Sequence, residues 1–193
     1  MSRASLSALR PLALALALVC GALAAAPLLD AAAFAQGSWR THKDSKYGYR
    51  VEFPGVPSLS QETTPGGAVM DIARLEAGTT GAFMVISVSG AIDAKTALDN
   101  ATNGALAVAN NQLVSKADLS VDGAPARDLV MRSTETGVTM HIRMVIQGGS
   151  FHQVMAVGAA DAPLEGADRF INSFRLSAPP TPAASGTMAP VGN

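Results

Sequence analysis

The chain has 193 residues, 14 basic and 15 acidic, with a net charge of −1, 48% hydrophobic residues and a single cysteine. That balance gives no general electrostatic reason to bind nucleic acid or an anionic membrane surface. One cysteine, Cys20, cannot close an internal disulfide or build a thiolate metal site.

The first segment places Arg3 and Arg10 ahead of a Leu/Ala run and ends on Ala33-Phe34-Ala35 before Gln36. This order predicts a secretory signal peptide over residues 1–35, cleaved after Ala35. Two competing readings keep the segment at the membrane: an uncleaved anchor over Leu12 to Leu29, or a lipidated Cys20. Pro27 and the small residues before the cut favour cleavage, and Val19 is bulky for a lipoprotein site. Cleavage removes the only cysteine and leaves 12 basic and 14 acidic residues (14 − 2 and 15 − 1), a net charge near −2. The expected location is the periplasm or the exterior. Residues 178–193 hold prolines and no charged side chain, which predicts a disordered tail. Residues 36–177 are left as a single domain.

Within it, Tyr47, Tyr49, Val51 and Phe53 alternate with Gly48, Arg50 and Glu52 until Pro54 and Gly55. This predicts a half-buried first strand with its terminating turn. Strands at 68–77 and 82–90 follow, joined through residues 78–81 as a hairpin. The second is apolar on both faces around Met84 to Ile86, as a covered central strand requires. From Asp93, a helix N-cap, the apolar period becomes three to four through Ala97, Leu98, Ala101, Ala105, Ala109 and Leu113. That spacing predicts a helix of about 20 residues lying on the sheet.

Three strands come next, turning at Glu135-Thr136 and Gly148-Gly149. Those turns set the register: Leu129 opposite Ile142, Met131 opposite Met140, Phe151 opposite Ile146, and Met155 opposite Ile142. Every apolar set then falls on one face. After a break at 161–163, Ala167, Phe170, Ile171 and Phe174 form the stripe of a closing helix. The fold class is α+β with a mainly antiparallel sheet, one long helix after the third strand and a C-terminal helix.

On the other face of the three strands the register aligns Asp128 with Arg143, and Val130 with His141. Asp128, Arg143 and His141 are the candidate ligand-binding residues, either for an anion or as a cluster that tunes the histidine for proton transfer. The competing reading is a cross-strand ion pair worth about 0.2–1 kcal/mol to the sheet. His42 and His152 fit no metal-binding spacing and are expected to be solvated or incidental. No serine has a nucleophile-elbow context and no glycine-rich phosphate loop follows a strand, so no catalytic residue, metal or cofactor is expected. Met84, Met131, Met140, Met144 and Met155 alternate toward the expected core and read as packing rather than a copper(I) site.

With these residues placed, "YGYRVEFPGVP", the long helix, the meander "RDLVMRST…HIRMVIQGGSFHQVMAVG" and "ADRFINSFRL" together resemble bacterial exported members of the PsbP-like superfamily. The resemblance implies an α/β/α sandwich and a non-catalytic accessory or binding role, with an unidentified protein or small ligand as partner. No metal-binding or partner-contact residue of the family aligns onto this chain. The remaining alternatives are an enzyme using the Asp128–Arg143–His141 face and a membrane-retained envelope structural protein.

Overall fold

A computed structural model describes residues 38–64, 66–78, 81–90, 93–108, 111–159 and 164–177. The expected signal peptide, the Asp161–Pro163 break and the expected tail lie outside these residues. The elements in chain order are β1 (Arg40–Asp44), β2 (Tyr49–Phe53), β3 (Ser58–Thr63), β4 (Val69–Ala77), β5 (Gly81–Ser89) and α1 (Ala94–Ala107). There follow β6 (Asn111–Val121), β7 (Ala124–Ser133), β8 (Val138–Gln147), β9 (Ser150–Ala159), α2 (Ala167–Ser173) and β10 (Arg175–Leu176).

Seven strands form an antiparallel sheet in the order β3-β4-β5-β9-β8-β7-β6, and β1-β2-β10 form a second sheet of three. The β7–β8 and β8–β9 registers are those derived from the turns: Leu129 faces Ile142, Met131 faces Met140, Ile142 faces Met155 and Ile146 faces Phe151. Gly148 and Gly149 take φ values of 56° and 79°. That left-handed pair is what a two-residue hairpin of this hand needs, and it locks the register of β8 and β9.

The large sheet is covered on both faces. On one, Ala97, Leu98, Ala101 and Ala105 of α1 meet Met84, Ile86, Leu129, Met131, Met140, Ile142, Met144 and Met155. Alanine on the helix lets its backbone approach the sheet, and the methionines fill the irregular space that remains. On the other face, Phe83, Val85, Val145, Val154 and Ala156 pack against Tyr49, Val51 and Phe53 of the small sheet and Phe170, Ile171 and Phe174 at the closing helix. Burying each large side chain there contributes about 1.5–3 kcal/mol. Residues 81–88 of β5 are buried throughout, because that strand is central and covered on both sides. The layer opposite α1 is therefore shared between a seven-residue helix and a three-stranded sheet.

Asp93 caps α1, its carboxylate accepting from the Thr96 amide at 2.9 Å. The helix has 14 residues rather than about 20, and it follows five strands rather than three. Leu113 continues the helical period in sequence but belongs to β6, where the register shifts between Leu113 and Ser115 and breaks the strand's own alternation. β1, β3, β6 and the two-residue β10 are the strands that periodicity does not announce. The "YGYRVEF" stretch is accordingly the second strand and not the first. β3 and β6 are sheet edges, exposed along nearly their whole length, so neither shows an apolar face.

Gly166 opens α2 with φ at 80°, and a Cβ there would stand 2.5 Å from Cζ2 of Trp39. Both the dihedral and the close approach demand glycine. Trp39 thereby lies over the start of α2 and makes an edge contact with Phe83.

Candidate functional site

Asp128, Arg143 and His141 do come together on the α2 side of the sheet. Arg143 donates from Nε and one terminal nitrogen to the two Asp128 carboxylate oxygens, each at 2.7 Å. Its other contacts run to the closing helix: the Ile171 carbonyl at 3.0 Å and Asn172 Oδ1 at 3.2 Å. His141 lies at the rim, with Nε2 4.0 Å from Asp128 and Nδ1 3.8 Å from Asp168. Desolvation alone would raise the Asp128 pKa, but the bonds from Arg143 and the approach of His141 outweigh it and hold it at about 2. The arginine is 7% exposed. As built, the group clamps α2 to β7 and β8.

A second arginine does the same for the other helix. Arg127, on the α1 side of β7 and 6% exposed, reaches Asp118 of β6, Asp99 of α1 at 2.9 Å and the Thr102 hydroxyl at 3.2 Å. One buried guanidinium per helix, each fastened to carboxylates, is the polar frame of the fold.

The open chemistry lies elsewhere, on the outer face of the small sheet. The pairings Lys43 with Arg50 and Arg50 with Arg175 put three cations in one cross-strand row over β1, β2 and β10. All three are exposed, whereas the alternate residues Tyr49, Val51 and Leu176 are buried beneath them. Beside the row, a cleft of about 410 Å³ is lined by Thr41, Arg50, Glu52, Arg169, Ser173 and Arg175. Glu52 is committed: its carboxylate accepts from Arg169 at 2.8 Å and its amide donates to Ser173 Oγ at 2.8 Å. Arg169 in turn lies over the Trp39 ring, 4.4 Å from its centroid. One terminal nitrogen of Arg175 is held by the Asn172 and Phe174 carbonyls at 2.7 and 2.8 Å, which fixes the fork and leaves its other donors uncommitted among the described residues.

His152 corrects the expectation of a solvated side chain. It is fully buried under the small sheet, sharing a 3.0 Å hydrogen bond between Nδ1 and Ser87 Oγ, while Nε2 has no partner. The rings of Tyr49, Phe174 and Tyr47 surround it at 5.6, 5.7 and 6.0 Å. Desolvation pushes its pKa down to about 4, against a small opposing pull from Asp44. His42 is half-buried between Tyr49 and Phe53, and burial lowers its pKa more than Asp44 raises it. Among the described residues no group of three or more His, Cys, Asp or Glu is placed to hold a metal ion.

These features define a two-sheet α+β protein whose buried polar groups fasten its helices and whose small sheet carries a row of three exposed cations. No protein-family model and no curated protein matches the chain. Among solved structures it is similar to cyanobacterial PsbP (CyanoP) from Synechocystis sp. PCC 6803, at 15% identity and a TM-score of 0.49, over 78% of this chain and 99% of that one. It is also similar to a protein of unknown function from Pseudomonas aeruginosa, at 11% identity and a TM-score of 0.38, over 65% of this chain and 85% of that one.

Proposed function

We propose that the protein is an exported, non-catalytic accessory module that binds an anionic ligand on the outer face of its three-stranded sheet. The observation that carries this reading is the row Lys43–Arg50–Arg175, three like charges on neighbouring strands with no carboxylate between them. Like charges directly opposite one another destabilise a sheet, so such a row works against folding and suits a partner that supplies the missing negative charge. Export rests on Arg3, Arg10, the apolar run and Ala33-Phe34-Ala35. A mature chain starting at Gln36, read from its mass, is the expected result in a secreting host, and a full-length chain retained in the membrane fraction overturns it.

For the binding face, the experiment is an amide-resolved NMR titration with phosphate, citrate and an oligoglutamate at constant ionic strength. Residues 41–43, 50–52 and 172–175 are expected to shift saturably with at least one of these anions. Arg50→Glu is expected to abolish the response. Failure of all three anions to move that set, or an unchanged response in the variant, overturns the reading.

A further inference from the structure

We infer that the Lys43–Arg50–Arg175 row is a site for a phosphate-type group, a tetrahedral oxyanion carrying more than one negative charge. The inference rests on the binding face proposed above and names its ligand. On the large sheet the two buried arginines are balanced by their cross-strand neighbours. Arg143 faces Asp128 and Arg127 faces Asp118, and each cation is met by an acid. Among the described residues, only on the small sheet does the register set cation beside cation twice in succession.

Side chains directly opposite on antiparallel strands have Cβ atoms about 5 Å apart, so the row spans about 10 Å, within reach of one ligand group for three long side chains. Neither Lys43 nor Arg50 makes an ion pair among the described residues, and the Arg175 fork is oriented by the carbonyls of Asn172 and Phe174. The Thr41 side chain, on the lining of the cleft next to Arg50, adds a hydroxyl donor.

The number of donors decides between anions. A carboxylate offers two oxygens in one plane and a single charge, which one guanidinium fork satisfies. A phosphate monoester carries a charge of about −1.5 to −2 and three terminal oxygens at neutral pH, which can take up two forks and an ammonium together. Committed Glu52 stands at the edge of the cleft, and its pairing with Arg169 leaves the row's own charge uncancelled. A cleft of about 410 Å³ has room for more than the phosphate group itself, so the ligand is a phosphorylated molecule or a lipid headgroup. The chemistry is shared by the two sources, and the measurement separates them.

The test compares inorganic phosphate by calorimetric titration with flotation on phosphatidic acid and phosphatidylcholine vesicles, all at matched ionic strength because exposed charges are screened by salt. Saturable binding of inorganic phosphate, weakened at least tenfold in Arg50→Gln and less in Arg50→Lys, supports a soluble phosphorylated ligand. Binding to phosphatidic acid but not phosphatidylcholine vesicles, lost in Arg50→Gln, supports the headgroup. If citrate or oligoglutamate binds while phosphate and both vesicles do not, the phosphate inference is overturned and the anionic-face reading stands. If no anion binds, both fall. A second readout does not depend on any ligand: without phosphate, Arg50→Gln is expected to raise the unfolding midpoint, because it removes two like-charge contacts. A lowered midpoint would mean that Arg50 holds the sheet together, and overturns the inference.

Discussion

Replacing Asp128 by alanine is expected to destabilise the fold by about 3 kcal/mol, measured by urea unfolding at pH 7. The reason lies in what is left behind. Arg143 loses both carboxylate bonds yet stays 7% exposed under α2, held by the Ile171 carbonyl and Asn172. A buried guanidinium without its counter-charge costs far more than the net worth of the pair. The double variant Asp128→Leu with Arg143→Met is therefore expected to be more stable than Asp128→Ala alone, and the two single variants should not add. A loss below about 0.5 kcal/mol would class the pair with exposed ion pairs and remove the clamp from the account. The same variant also weighs the ligand reading of Asp128, Arg143 and His141. Loss of an anion-binding signal with stability intact would assign the trio to a ligand instead. Since the folded pKa of Asp128 is lowered from 3.8 to about 2, its contribution is present above pH 3.8 and disappears as the pH falls toward 2.

Legibility in the sequence followed the physics of each element. The β7–β8–β9 meander could be placed residue by residue because two tight turns fix its register and one face must be apolar. The closing helix was legible from Ala167, Phe170, Ile171 and Phe174 for the same reason: its stripe faces a core. Strands without a buried face leave no such trace. β1 reads "RTHKD" and β3 "SLSQET", and both are formed by pairing with a neighbour. Missing β1 also hid the cationic row, which needs Lys43, Arg50 and Arg175 from three separate segments. A net charge of −1 says nothing about such a cluster, because acids elsewhere cancel it in the sum. The two-residue strand β10 is beyond any periodicity argument and exists because the chain leaving α2 pairs with β2. Asp128, Arg143 and His141 were found together because they sit on the legible strands. Their fastening of α2 was not legible, since the Ile171 carbonyl and Asn172 come from a helix whose docking no spacing specifies.

Acid is expected to weaken the fold before its carboxylates titrate, and His152 is the reason. In the unfolded chain this imidazole takes up a proton as the pH falls through 6.5, whereas in the folded protein burial delays it until about 4. Between those values the unfolded state holds more protons, so stability is lost as the pH falls. The loss is about 2 kcal/mol between pH 7 and pH 5, and reaches about 3 kcal/mol near pH 4. His42, lowered for the same cause, adds to the loss. Relief by a counter-charge is not at hand, because Nε2 faces rings and has no partner, and Asp44 only weakly opposes the desolvation. His152→Leu is expected to flatten the difference between urea midpoints at pH 7 and pH 5, with His152→Gln as a second variant should the first fold poorly. Equal stability of the wild type at the two pH values, or the same slope in a folded His152 variant, would remove this histidine as the cause. The small sheet is the layer over His152, through Tyr47, Tyr49 and the Phe174 just before β10. Protonation therefore acts first on the layer that bears Lys43, Arg50 and Arg175, and any anion bound there is expected to be released in the same pH range in which the fold weakens.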